Sequence, residues 1–343
     1  MESSEKNVAS ELRQHPVSGD WVLIAPARAK RPHKFKSNVG KAVPKSECPF
    51  ENPQETNHTS PLLWYTDGGA LGAGQIAKSW SLQTIPNKFP IVAKHEGACP
   101  VPPADGLNKH MAAVGFHEII IPRAHNKFLA DMKPEEAELM VRAYQDRILA
   151  HKDDDCLHYV LVFHNHGVAA GASVWHPHSQ ILALPFIPHD VRRSIEGSRA
   201  WFEKHGTCVH CEILADDERD GTRLVYHNKD FVVVTPYASH ASFEITILPR
   251  AHTAHFWEIG ANERLTFADA LVAALRRLKR VLKNPAYNFF IHTAPVDRAD
   301  YRYYHWHLEI FPRVETLAGF EHGSGIRVVQ TSPEIAAEHL RKA

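Results

Sequence analysis

Hydrophobic positions fall into the same sequence of patterns twice along the chain. Apolar Met140, Tyr144 and Ile148 recur at four-residue spacing behind an opening Pro134-Glu-Glu, which predicts a helix over 134–150. The signature returns over 262–283 with Leu271, Leu275, Leu278 and Leu282. Each helix gives way to a run of aromatic and β-branched residues, Tyr159-Val-Leu-Val-Phe163-His164 and Tyr287-Asn-Phe-Phe-Ile-His292, that reads as a strand. Ahead of each helix stands a Pro-Arg-Ala-His block, 122–125 and 249–252, behind the β-rich Phe116-His-Glu-Ile-Ile-Ile and Phe243-Glu-Ile-Thr-Ile-Leu. Behind each strand comes a histidine pair, His176-Pro-His178 and His305-Trp-His307.

The Pro-Arg-Ala-His blocks lie 127 residues apart and the histidine pairs 129. So constant an offset predicts an internal duplication of one unit: strand, helix, strand, His-X-His strand. Asn87-Lys-Phe-Pro precedes the first copy and Asn228-Lys-Asp-Phe the second. The expected architecture is α+β, with two half-domains over 1–190 and 191–343 and a joint near 186–207. Segments 40–60 and 95–110, rich in Pro, Gly and polar residues, read as loops. A chain of 343 residues is long enough for two units, each with its own core.

Charge narrows the partners. The 39 basic and 39 acidic side chains cancel, so the balance argues against nucleic acid and anionic membranes, and any phosphate contact must be local. The first residues carry no apolar core and no uninterrupted apolar run reaches membrane-spanning length, so a cytoplasmic protein is expected. Five cysteines, with Cys208 and Cys211 in a Cys-X-X-Cys pair, suit metal ligation in a reduced compartment better than a disulfide framework.

Histidine is the compositional outlier at 25 residues. In an extended strand His176, His178 and Gln180 share a face. A neutral imidazole there can attack phosphorus, with backbone N–H groups of Gly171 to Ser173 offered to the anion. Cys208, Cys211, His252 and His305 make a four-ligand set for a closed, structural zinc site. The first copy has the same layout with one change: Cys48, Glu51, His125 and His176, a carboxylate replacing one thiolate. If His176 binds metal, His178 inherits the nucleophilic role. The second copy carries Glu309 where the first has Gln180, and so reads as a structural copy.

At these residues the sequence resembles the galactose-1-phosphate uridylyltransferases, the nucleotidyltransferase branch of the histidine-triad superfamily. The landmarks are Trp21-Val-Leu-Ile-Ala-Pro-Ala-Arg28-Ala-Lys-Arg31-Pro, Cys48-Pro-Phe, Asn87-Lys-Phe-Pro, Asn165 to Ser173, His176-Pro-His178-Ser-Gln180 and Gly319-Phe320-Glu321. The resemblance implies mainly antiparallel sheets with packed helices, zinc and a homodimer. It implies ping-pong transfer of a nucleoside monophosphate from a nucleotide-sugar through His178 to a hexose 1-phosphate, and the leading expectation for this chain is UMP, as in galactose metabolism. Gln180 would bond the moving phosphoryl group, and Arg28 and Arg31 would contact phosphates. Asn87, Asn165 and Ser173 would line the nucleotide pocket, while Phe320 and Glu321 would face the hexose. Two departures bear on specificity: Glu51 replaces a cysteine, and Lys88 replaces a commonly acidic neighbour of the ribose. Ser179 is shared with a plant-like subgroup, the ADP-glucose phosphorylases, whose second acceptor is inorganic phosphate. The other classes open to this sequence are a hydrolase of the same superfamily and a zinc-stabilised binding protein without turnover; Gln180, a neutral amide in place of a third histidine, favours transfer over hydrolysis.

Overall fold

The computed structural model describes residues 9–30, 39–56, 60–66, 69–75, 79–95, 97–101 and 105–343. In the first copy the strands are β1 (Glu11–Gln14), β2 (Trp21–Ile24), β3 (Leu63–Thr66), β4 (Gly69–Gly72), β5 (Leu82–Pro86) and β6 (His117–Pro122). Helix α1 (Pro134–His151) follows, then β7 (Tyr159–His166) and β8 (Ser179–Leu184). Helices α2 (His189–His205) and α3 (Val209–Asp220) lead into β9 (Leu224–His227), β10 (Phe231–Val234) and β11 (Ile245–Pro249). The second copy continues with α4 (Ala261–Leu282), β12 (Tyr287–His292) and β13 (His307–Pro312). Last come α5 (Gly319–Ser324), β14 (Arg327–Val329) and α6 (Pro333–Arg341). The fold is α+β, as expected, and both repeat helices lie within a residue of their expected limits.

The duplication is visible in the sheet. Eleven strands run in the order β4-β3-β5-β6-β8-β7-β12-β13-β11-β10-β9, so β6-β8-β7 of one half is mirrored by β11-β13-β12 of the other. The halves meet at an antiparallel seam in which β7 pairs β12, with Phe163 opposite Phe290 and Asn165 opposite Asn288. Gln180 lies across from Phe163 and Glu309 across from Phe290. One row of the sheet thus reads Gln180, Phe163, Phe290, Glu309, symmetric about the seam. A smaller sheet, β1-β2-β14, joins the N-terminal strands to the C-terminal segment, and Arg13 clamps it by bonding Glu334.

Both long helices pack on one face of the large sheet. Helix α1 opens with Pro134, the Lys133 N–H donating to Glu136, and buries Ala137, Met140, Val141, Tyr144 and Ile148. Helix α4 opens with the Gly260 N–H donating to Glu263 and buries Phe267, Leu271, Leu275 and Leu278. These stripes share one core with Ile120, Val162, Ile181, Ile245, Phe289 and Ile310 from the strands. Between the helices, Gln145 donates to the carbonyls of Trp257 and Ile259, and Arg264 donates to Glu138 and to the Gln145 carbonyl. The opposite sheet face is left for the histidine pairs.

One reading of the cysteines needs correction. Cys99 and Cys156, 57 residues apart in sequence, form a disulfide that ties the loop after β5 to the segment following α1; Cys48, Cys208 and Cys211 are free. Nothing in local sequence pattern reports that approach. No helix among the described residues is long and apolar enough to cross a membrane.

Candidate active site

Strand β8 begins at Ser179, one residue after His178, so the histidine pair is the extended lead-in to the strand rather than its body. The shared face survives this shift. Phe50 packs edge-on against both His176 and His178, and it belongs to the same cluster as Ile119, the cross-strand neighbour of Gln180. The two imidazoles then part company. His176 hydrogen-bonds the Pro122 carbonyl through Nε2 at 2.8 Å and turns Nδ1 to Cys48 Sγ at 3.5 Å and His125 Nδ1 at 3.3 Å. His178 donates from Nδ1 to the His176 carbonyl at 2.9 Å, which leaves Nε2 as the lone-pair nitrogen. Burial lowers the His178 pKa, partly opposed by that carbonyl, and this keeps the ring unprotonated at neutral pH.

Gln180 is oriented by a residue the sequence did not single out. His117 on β6 lies with Nε2 2.8 Å from Gln180 Oε1. Asn87 Nδ2 approaches the same ring and the Ile91 N–H points to its Nδ1. Burial lowers the His117 pKa, so the ring is neutral, accepts at Nδ1 and donates from Nε2 to Gln180. The carboxamide N–H groups of Gln180 are thereby turned away from His117 and left to donate. Only the position of His117 at the start of β6, two residues before Ile119, the cross-strand partner of Gln180, could have hinted at this from sequence.

Ser179 points the other way. Its hydroxyl is buried between Tyr144 Oη at 2.6 Å and His164 Nδ1 at 3.0 Å, so it pins the strand that carries His178 and touches no surface a substrate could reach.

Asn165, Ser173 and His176 line a cavity of about 150 Å³ with Gly40, Phe128 and Trp175. The loop between β7 and β8 is turned by Gly167 at φ +85°, where a Cβ would collide with Ala286 and Val39. The expected anion cradle is only partly available. The N–H groups of Gly171 and Ala172 are spent on the Val168 and Gly167 carbonyls, leaving Ser173 to face the cavity. Asn165 Oδ1 accepts from Asn288 across the seam. Arg28 lies on a short 3-10 turn after β2, and Arg31 falls outside the described residues. Phe320 is exposed on α5. The Glu321 carboxyl is held below its usual range by the N–H groups of its own helix start, with Arg28 adding a lesser attraction. Neither lines the small cavity.

Two donor clusters fit the expected metal sets. Cys211 Sγ stands 3.4 Å from Nδ1 of both His252 and His305, whose Nε2 atoms bond the Arg302 and Pro249 carbonyls. Cys208 completes that set from the start of α3. Cys48, His125 and His176 form the first-half counterpart, with His125 Nε2 held by the Val43 carbonyl. Glu51 turns one carboxylate oxygen to Lys45 and Arg123 and leaves the other buried, without a hydrogen-bond partner, 3.5 Å from His125 Nδ1. Soft thiolates and neutral imidazoles at this spacing suit zinc, and the orphaned Glu51 oxygen is the kind of lone pair a cation satisfies.

In the second half the equivalent strand forms a different centre. His307 donates Nδ1 to the His305 carbonyl at 3.0 Å, as His178 does in the first, yet its Nε2 faces Glu309 at 3.5 Å, and His292 Nε2 meets the same carboxylate at 3.2 Å. Burial alone would raise the Glu309 pKa, but the two imidazoles hold it well below the usual carboxylate range. A cavity of about 1420 Å³ opens over these residues.

Comparison with known proteins decides the family. A family model described as galactose-1-phosphate uridyl transferase, N-terminal domain, matches residues 1–188, and a second, described as a domain of unknown function (DUF4921), matches 113–342. The chain belongs to the galactose-1-phosphate uridylyltransferase family. It is 33% identical to an ADP-glucose phosphorylase of Arabidopsis thaliana over 99% of this chain and 94% of that one. It is 26% identical to a galactose-1-phosphate uridylyltransferase of Thermotoga maritima over 97% and 98%. A crystal structure of an Arabidopsis thaliana ADP-glucose phosphorylase with bound ADP-glucose superposes with a TM-score of 0.82 at 29% identity, covering 98% of this chain and 99% of that one. A nucleotidyltransferase of this family is what the sequence and fold together describe.

Proposed function

We propose that the protein moves an adenylyl group from ADP-glucose to inorganic phosphate through a covalent histidine intermediate. The observation that carries the covalent route is the His178 ring. Its Nδ1–H is held by a carbonyl and its Nε2 lone pair is free, on the face where Gln180 presents N–H donors. His178 Nε2 attacks the α-phosphorus of the donor, a P–N bond forms, and the P–O bond to the β-phosphate breaks, releasing glucose 1-phosphate. Inorganic phosphate then attacks the same phosphorus, breaks the P–N bond and leaves as ADP. The Gln180 amide bonds a non-bridging oxygen of the phosphoryl group in both steps, when its charge is greatest. Asn165 and Ser173 line the nucleotide end of the site, Asn87 acts through His117, and Arg28 and Arg31 meet phosphates. Phe320 and Glu321 read the hexose, in an active homodimer.

Zinc at Cys48, Glu51, His125 and His176, and at Cys208, Cys211, His252 and His305, cross-links the segments that present the strands and leaves the chemistry to imidazole and amide. The likeness to an ADP-glucose phosphorylase over nearly the whole chain supports adenylyl over uridylyl transfer. The second reading, UMP exchange between UDP-glucose and galactose 1-phosphate, rests on the Thermotoga maritima relative. Incubating the protein with ADP-glucose or UDP-glucose, each with phosphate or galactose 1-phosphate, separates the two. Turnover of ADP-glucose with phosphate, at least ~100-fold above the other pairings, is expected. Preference for UDP-glucose with galactose 1-phosphate selects the second reading, and absence of a nucleotidylated His178 in peptide mapping overturns both.

A further inference from the structure

The loop fastened by the disulfide repeats a rule seen at the metal clusters. At His125, His176, His252 and His305, Nε2 is anchored on a carbonyl oxygen while Nδ1 faces the donor cluster; the Sγ to Nδ1 spacing is 3.5 Å for Cys48 and His176 and 3.4 Å for Cys211 with either of its histidines. That spacing is what two ligands about 2.3 and 2.0 Å from a tetrahedral zinc must show, roughly 3.5 Å. His95 follows the same plan outside both halves' donor clusters, with a carboxylate in place of the carbonyl. Its Nδ1 lies 3.7 Å from Cys156 Sγ, and its Nε2 lies 3.1 Å from both carboxylate oxygens of Asp154. Asp154 is itself fixed by the Cys156 N–H, which donates to Oδ1 at 2.9 Å. A carboxylate on the far nitrogen of an imidazole is the partner that sets the tautomer and raises basicity in zinc sites. The disulfide brings Cys99 to the same point, its Cα 5.0 Å from that of Cys156.

We propose that Cys99, Cys156 and His95, with Asp154 orienting His95, form a third zinc site that is available only when the disulfide is reduced. The switch balances with an external dithiol. Its two thiols become a disulfide, two electrons pass to the Cys99–Cys156 bond, and both cysteines regain their thiols. Zinc(II) then binds with release of two protons to solvent and no change in its oxidation state, and a water fills the fourth position. A low-molecular-weight disulfide oxidant reverses the exchange and expels the ion. Cys99 is solvent-exposed, so the reductant has access, while Cys156 is buried. To hold zinc the sulfurs part to about 3.8 Å, the separation of two thiolates on a tetrahedral ion, and the coil carrying Cys99 supplies that movement. In either state the loop between Asn87 and β6 stays clasped to the segment after α1, by a covalent bond or by an ion. The proposal is independent of the nucleotide chemistry.

The test uses the full chain. Wild type, His95→Gln and Cys99→Ser are reduced with a phosphine, loaded with zinc, desalted without oxygen and assayed for metal. Reduced wild type is expected to hold one zinc per chain more than either variant, and oxidised His95→Gln to keep the disulfide, read as intact mass. Equal zinc in all three reduced proteins overturns the site. A second measurement needs no variant. In reduced wild type, alkylation of Cys99 and Cys156, followed peptide by peptide, should slow at least tenfold with zinc and recover with a chelator, and unchanged rates overturn the proposal.

Discussion

The two halves place a histidine at the same strand position, held by the same carbonyl bond, and differ in what meets its free nitrogen. In the first half the neighbour two residues on is a neutral amide whose oxygen is already taken by His117, so Nε2 of His178 carries the ring's lone pair and the amide N–H groups are turned from His117. In the second half it is an ionised carboxylate that faces Nε2 of His307 and also bonds His292. By strand register, His292 stands opposite His307 where Asn165 borders His178. A carboxylate repels a phosphoryl group and occupies the nitrogen that would attack it. The sheet thus carries the same scaffold twice, and under the proposed mechanism the amide-to-acid difference, with His292 beside it, leaves phosphoryl transfer to the first copy.

The largest expected effect separates the two histidines. His178→Ala should lower the turnover of nucleotide-sugar at least ~1000-fold and abolish covalent labelling, since the two-step route vanishes with the nucleophile. His307→Ala should stay within about threefold of wild type. Comparable losses from both would break the contrast. Next comes the exchange of partners. Gln180→Glu imports the second-half arrangement and should cost about 100-fold or more in kcat, with a smaller change in KM, because the amide acts most strongly on the transferring group. Glu309→Gln should leave transfer unaltered, and a fall in kcat there would show that the second copy takes part.

Smaller effects sharpen the metal side of the comparison. Cys211→Ala should lose one zinc per chain and ~3 kcal/mol or more of stability in urea titration, before any change in the chemical step. The first-half cluster, with Glu51 in place of a thiolate, should release its ion at milder acidity, and Glu51→Cys should restore retention. Identical acid release from wild type and Glu51→Cys would remove Glu51 from the ligand set. An effect felt only in acid concerns the seam, where His166 stacks on Tyr287. Burial lowers the His166 pKa to about 4, against a bond to Asn284 that would raise it. The unfolded chain takes up this proton near pH 6.5 and the folded chain does not, so stability falls as pH drops from about 6.5 toward 4, by up to about 1.4 kcal/mol per unit. His166→Gln should lack that portion of the slope in urea titrations at successive pH values, and an unchanged slope would assign the acid sensitivity elsewhere.

The duplicated plan was legible because each copy writes it locally: helix periodicity at Met140, Tyr144 and Ile148, apolar strands, and paired histidines two residues apart. The metal donors at Cys208, Cys211, His252 and His305 followed from the same offset and do converge. What stayed hidden depends on pairing across long stretches of chain. The β7 to β12 seam, the bond from His117 to Gln180 and the link of Cys99 to Cys156 arise from register and loop path, which no window of neighbouring residues encodes. Ser179 shows a further limit: its identity is readable, but only the alternation of β8 shows that it faces Tyr144 and His164 rather than a ligand.

The seam carries a cost during synthesis on the ribosome. Strand β7 leaves the exit tunnel with β8 available on one side, but its other neighbour, β12, emerges only after α2, α3, three more strands and α4. Until then an apolar strand offers an unpaired backbone edge to any other nascent chain, the condition under which sheets recruit strangers. Translation that pauses between α2 and α4 should therefore favour aggregation, and a holding chaperone that shields an open strand edge would find its client in this interval.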